Sequence, residues 1–123
     1  MNYFTGIRTV AIPVTDQDKA LDFYVGTLGF TKVMDAPLPQ LGGRWLVVAP
    51  PGGGTSIALL LASDSFPAGT DTGIRLATDD AATVHAALTG KGVTTEDLLN
   101  WPGVPPMFDF YDQDHNKLFV SQG

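Results

Sequence analysis

The sequence predicts an α+β fold made of two similar halves, and three observations predict it. Residues 7–30, IRTVAIPVTDQDKALDFYVGTLGF, read as a strand, a capped helix and a glycine stop. The same order returns half a chain later, over residues 74–92. In each half the helix is followed by strands rather than by a further strand–helix alternation, which is the α+β pattern and not the βαβ crossover one.

Taken in order, residues 7–14 are rich in β-branched and apolar side chains, which suit a strand. Thr15 and Asp16 offer side-chain oxygens to the free N–H groups that open a helix. Ala20, Phe23 and Tyr24 then fall at i, i+3 and i+4, with Leu28 four residues on, giving one apolar stripe. Gly29 supplies a left-handed exit, and Phe30 begins an extended run through residue 34. Residues 35–43, DAPLPQLGG, read as a loop from their prolines and glycines. RWLVVA (44–49) and SIALLLA (56–62) are apolar strands joined by PPGGGT, a hairpin. Residues 64–72 connect the halves. In the second half 74–78 is the strand, Asp79 or Asp80 the cap, Val84 and Leu88 the apolar stripe and Gly92 the stop. A short strand at 93–95, a loop over 96–106, the strand MFDFY, the turn DQDHN and the strand KLFVSQ complete the chain. The halves are expected at about 5–62 and 73–123, with a linker at 63–72.

The chain has 123 residues, 44% of them apolar, enough for one compact domain with its own core. No apolar run is long enough to span a bilayer, and the first ten residues lack the basic-then-apolar order of a secretory signal. With no cysteine, disulfides, thiolate metal sites and a cysteine nucleophile are excluded. A cytoplasmic location is expected. Thirteen acids against seven bases give a net charge of −6. This disfavours nucleic acid and anionic membrane as partners; a modestly acidic surface would attract a cationic ligand, and solubility is the plainer reading. PPGGGT has no helix N-terminus behind it, so it is not a phosphate cradle, and no GxSxG or Ser/His/Asp set is present. His85 follows Val84 on the second helix and is expected to face solvent. His115 lies in a turn where histidine tolerates a left-handed backbone. Neither pairs with Glu96 at ligand spacing. Asp112 and Asp114 suit a tight turn, and DQDHN has too few oxygens for calcium.

Three stretches, VAIPVTDQDKALDFYVGTLGF, RWLVVAPPGGGTSIAL and FYDQDHNKLFV, carry a resemblance that covers nearly the whole chain. In them the protein resembles the vicinal oxygen chelate superfamily, the glyoxalase, bleomycin-resistance and extradiol dioxygenase group. The resemblance implies two βαβββ modules whose curved sheets surround a concave cavity, paired as a homodimer. It also implies metal ligands at positions that fall here on Thr9, on Thr72 or Gly73, on Ala58 and on Phe119. Threonine is a poor ligand and the other three side chains are none, so neither a metal nor any other cofactor is expected.

What is left for the cavity is apolar. By strand alternation Phe119 shares a face with Lys117 and Ser121, and the resemblance turns that face inward. Met34, Leu38, Trp45, Phe66, Trp101 and Met107 stand on strand ends and loops that would roof such a cavity. Aromatic rings and methionine together suit flat ligands. Core packing is the favoured role for Trp45, and ligand contact for Trp101. Arg75, mid-strand, either faces the cavity to meet a ligand group or forms a rim ion pair. Three functions follow. The first is a metal-free protein sequestering a hydrophobic or aromatic small molecule, as antibiotic-resistance members of the group do. The second is a lyase or oxidoreductase with a displaced metal site or a metal-independent one using Arg75, Tyr24 or an aspartate. The third is an interaction module with no small ligand.

Overall fold

The computed structural model describes all residues, 1–123, as two units, Met1–Pro67 and Ala68–Gly123. Each is an α+β layer pair in which one sheet carries one helix.

In the first unit β1 (Thr9–Val14) is followed two residues on by Asp16, whose backbone is extended and whose Oδ1 accepts the N–H groups of Asp18 and Lys19 at 3.0 and 3.1 Å. This cap starts α1 (Gln17–Leu21). The helix then widens into a π-helical turn, Asp22–Thr27, where the Leu28 N–H reaches the Phe23 carbonyl, five residues back. The apolar stripe read from an α-helical period therefore shifts: Ala20 and Tyr24 are buried, while Phe23 and Leu28 are only half-buried. Tyr24 lies edge-on to Phe23 at 5.4 Å and to Phe30 at 5.9 Å, a favoured aromatic arrangement. Gly29 leaves the turn at φ 81°, the left-handed exit expected of it.

The chain continues as β2 (Thr31–Leu38), a short 3₁₀ turn (Pro39–Leu41), β3 (Gly43–Ala49) and β4 (Ser56–Leu61). The sheet order is β1-β4-β3-β2, with β1 parallel to β4 and the other pairs antiparallel. The strand β2 overturns the loop expected at 35–43, since Asp35, Ala36, Pro37 and Leu38 all pair with β3. Pro37 is tolerated because β2 is an edge strand. Ile12, Val14, Leu46, Val48, Ile57 and Leu59 share one sheet face with the helix and close the core. Each such burial contributes roughly 1.5–3 kcal/mol.

In the second unit β5 (Asp71–Thr78) begins earlier than the sequence suggests. Asp80, not Asp79, caps α2 (Ala81–Gly90), taking the Thr83 N–H on Oδ1 at 3.1 Å. The strands β6 (Met107–Tyr111) and β7 (Lys117–Gln122) complete a three-stranded sheet, β5-β7-β6. The short strand expected at 93–95 is reduced to one isolated bridge, Thr95 to Phe110, and a second bridge, Leu99 to Met107, lies in the stretch expected as a loop. The turn before β7 is built on Asp112 and Asn116, both buried. Asp112 Oδ1 accepts the N–H groups of Asp114 and Asn116 at 2.8 and 2.9 Å, and Asn116 Oδ1 accepts those of Gly69 and Thr70. His115 sits at φ 60°, the left-handed turn position.

His85 corrects its expected solvent-facing position. Counted from the buried Ala81, the inward stripe of α2 is Ala81, Val84, His85 and Leu88, at i, i+3, i+4 and i+7. The half-buried imidazole meets the Phe108 ring edge-on at 4.9 Å, and its Nε2 lies 2.9 Å from the Glu96 carbonyl.

Candidate functional site

Because α2 packs on Phe108, the helix side of the second sheet holds Phe108, Phe110, Leu118 and Val120, all buried. Alternation then puts Met107, Asp109, Tyr111, Lys117, Phe119 and Ser121 on the opposite face. This is the pairing expected for Phe119, and all six are half-buried. A register irregularity between Asp71 and Arg75, with Gly73 at φ 69°, brings Arg75 opposite Phe119. The Arg75 guanidinium carbon lies 4.3 Å from the centre of the Phe119 ring, and Lys117 Nζ lies 5.3 Å from it. One ring thus holds two cations, each within cation–π range.

The two cations differ in their partners. Lys117 pairs with Asp109 at 3.3 Å, and that hydrogen bond raises the lysine pKa above its ordinary value. Arg75 donates from Nη1 to the Gly73 carbonyl at 3.1 Å and forms no ion pair. The rim ion pair weighed for Arg75 belongs to Lys117 instead. Beside this row the Tyr111 hydroxyl donates to Glu96 Oε1 at 3.1 Å, and this bond raises the phenol pKa. Glu96, Asp97, Leu99, Asp109, Tyr111 and Lys117 line a cleft of about 410 Å³. Sequence reasoning passed over Asp109 and Tyr111, though their spacing from Met107 already placed all three on one face.

Trp101 stands between the Leu99 and Met107 bridge, in a turn closed by the Val104 N–H on the Trp101 carbonyl at 3.1 Å. Its neighbours leave the residue 59% exposed. The bridge puts Met107 at the foot of this turn.

The remaining predicted residues belong to the first unit. Met34 pairs across from Val47 and Ala36 from Trp45, so Met34, Leu38, Trp45 and Val47 share the sheet face turned from the helix. Ala58 and Thr9 continue it, through the Val47–Ala58 and Ala11–Ala58 pairs. Met34 is 50% exposed, and Leu38 and Trp45 are half-buried. The Thr9 hydroxyl lies 2.8 Å from that of Ser56. Phe66 stands apart, lining a cavity of about 220 Å³ with Leu41, Arg44, Leu60 and Leu61. Thr72, the alternative ligand position to Gly73, donates its hydroxyl to the Lys117 carbonyl at 2.7 Å. Tyr24, considered as a catalytic group, is closed off from solvent and belongs to the core.

No group of three or more His, Cys, Asp or Glu side chains is gathered to hold a metal ion. At the positions where the resemblance expects ligands stand a hydroxyl, an apolar methyl, a glycine or second hydroxyl, and a phenyl ring. These residues do not fit a divalent ion, which needs several oxygen, nitrogen or sulfur donors to replace its water.

Comparison with known proteins agrees with this architecture. The model of the Glyoxalase/Bleomycin resistance protein/Dioxygenase superfamily matches residues 6–120, and the chain belongs to that superfamily. TnmS3, an antibiotic binding protein from Streptomyces sp. CB03234, is similar over 99% of this chain and 98% of its own, at 35% identity and a TM-score of 0.88. A superfamily member from Sphaerobacter thermophilus is 38% identical over 98% of each chain, with a TM-score of 0.85. An uncharacterized protein of Shewanella frigidimarina is 43% identical over 58 residues, 47% of this chain and 42% of that one. The match spans about half the length of the curated relatives or less. No helix is long and apolar enough to cross a membrane.

Proposed function

We propose that the protein binds and sequesters a flat hydrophobic or aromatic small molecule, in the manner of an antibiotic-binding protein, without a metal. The observation that carries this reading is Phe119. The resemblance expects an acidic metal ligand there, and the chain instead presents a half-exposed ring held under a guanidinium. Similarity to TnmS3, an antibiotic binding protein, over almost the full length of both chains supports it. Each unit offers a sheet face turned away from its own helix: Phe119 and Met107 stand on that of the second unit, and Met34, Leu38 and Trp45 on that of the first. The exposed indole of Trp101 adds a stacking surface. Each well-stacked aromatic contact contributes on the order of 1 kcal/mol beyond its buried area, so a few of them with desolvation reach micromolar affinity, about −8 kcal/mol.

Tryptophan fluorescence titrated with a panel of aromatic natural products tests the proposal. At least one class quenches with a micromolar or lower Kd. Trp101→Ala weakens that binding by roughly 1–3 kcal/mol and leaves the unfolding midpoint in place. A panel with no quenching, or a Trp101→Ala protein that unfolds, contradicts the reading.

A further inference from the structure

We propose that Arg75 is an anion receptor and that the ligand is a flat aromatic acid, an aryl carboxylate or an acidic phenol. This inference rests on the binding-protein reading and narrows it to one ligand chemistry.

The cross-strand row Arg75, Phe119, Asp109 runs over β5, β7 and β6. The acid in that row, Asp109, is held by Lys117 at 3.3 Å. Arg44 meets Asp18 and Asp35, and Lys32 meets Asp35. Arg75 has no such partner, although the chain carries nearly twice as many acids as bases. A guanidinium has five N–H donors in a rigid fork, and only the Gly73 carbonyl takes one of these.

An unpaired surface arginine usually waves in solvent. This one does not, because its guanidinium carbon rests 4.3 Å over the Phe119 ring. This contact, with the Nη1 bond to the Gly73 carbonyl, restrains the side chain before a ligand arrives and lowers the entropy lost on binding. The guanidinium carbon lies over Phe119 while Arg75 as a whole stays exposed to solvent, and Gly73 takes a hydrogen bond from Nη1 alone. A planar aromatic acid meets both fork and ring: its oxygens take two parallel N–H groups, as carboxylates do from arginine, and its ring extends over the same surface. Lys117, 5.3 Å from the same ring, is already matched by Asp109, so Arg75 is the cation on this ring left for a ligand anion.

The test compares a naphthoate probe with its neutral isostere, naphthamide, by tryptophan quenching and by calorimetry. Wild type prefers naphthoate by about tenfold to a hundredfold, the size of a charge-assisted hydrogen bond over a neutral one. Arg75→Gln brings the two probes to parity. Arg75→Lys, which keeps the charge and loses the fork, retains only part of the preference. Matching unfolding midpoints show that each variant folds, and Arg75→Lys carries the test if Arg75→Gln does not. Equal affinity of wild type for both probes overturns the inference, as does a preference that survives Arg75→Gln, and both leave the binding-protein reading standing. Failure of both probes together with the wider aromatic panel overturns the binding reading itself, and this inference with it.

Discussion

Gln17 is the strongest candidate for a single polar side chain that holds the first unit together, and its removal has a calculable cost. Only 6% of the residue is exposed. Its Nε2 donates to the carbonyls of Arg44 and Leu59 at 2.8 and 2.9 Å, and its Oε1 accepts the Arg44 N–H at 3.1 Å. One amide thus ties α1 to both β3 and β4. Gln17→Ala deprives three backbone groups of partners. Each such loss costs about 1–3 kcal/mol, and water reaching the two Arg44 groups offsets part of it, so the sum is about 3 kcal/mol. For a domain of this size that lowers Tm by roughly 10 °C.

Gly43 sharpens the test. A Cβ there would lie 2.7 Å from Gln17 Oε1 and 2.6 Å from Leu61 Cδ1, so Gly43→Ala costs about 2 kcal/mol by pushing both aside. Once Gln17 is alanine, half of that clash is gone. The double variant is therefore less damaged than the sum of the singles, with a coupling of about 1 kcal/mol. Urea titration followed by circular dichroism measures all four proteins, and the slope m should stay constant. A Gln17→Ala loss below about 1 kcal/mol, or additivity within about 0.3 kcal/mol, refutes the reasoning.

Two further outcomes are expected. The hydrogen bond from Arg44 holds the Asp35 carboxyl below its ordinary value of 3.8, and the Thr83 N–H does the same for Asp80. A lowered folded pKa stabilises above the unfolded value and is lost as pH falls through the folded one. Lys117, raised above 10.5 by Asp109, has the opposite sense: its contribution is present below 10.5 and is lost as pH rises through the folded value. The urea midpoint should therefore be flat through neutral pH and fall at both extremes. Asp35→Asn with Asp80→Asn should make the acid limb shallower, and an unchanged limb counts against the assignment. We also expect a homodimer, because Tyr3, Phe4, Ile7, Val33 and Met34 are exposed apolar side chains of a kind that soluble monomers avoid clustering. Sedimentation should give twice 13.0 kDa, and a stable monomer at micromolar concentration contradicts it.

What was legible in the sequence was local. The Asp16 cap, the Gly29 and Gly92 exits and the left-handed His115 turn follow from one or two side chains acting on their own backbone, and all four stand in the structure. Asp79 and Asp80 were indistinguishable because either could begin the helix, and only the Thr83 contact separates them. What was illegible depends on a partner strand. DAPLPQLGG has loop composition, yet its first four residues form strand because β3 pairs with them. The π-helical turn has no compositional sign. At the candidate site, alternation alone placed Phe119 with Lys117 and Ser121. That Arg75 lies over the ring, and that Asp109 takes Lys117, required the registers of β5 and β6 against β7.

The two halves share one plan but not one outcome. The first keeps β2 as an eight-residue edge strand with one register shift at Val33, while the corresponding edge of the second is attached at two points, Thr95 and Leu99. Substitutions, insertions and altered lengths between Glu96 and Pro106 meet few ladder hydrogen bonds to break. On the binding role proposed above, specificity can therefore be rewritten there, around Trp101, while Gln17 and the first core remain untouched. Chains with this plan can diverge in what they recognise far faster than in how they fold.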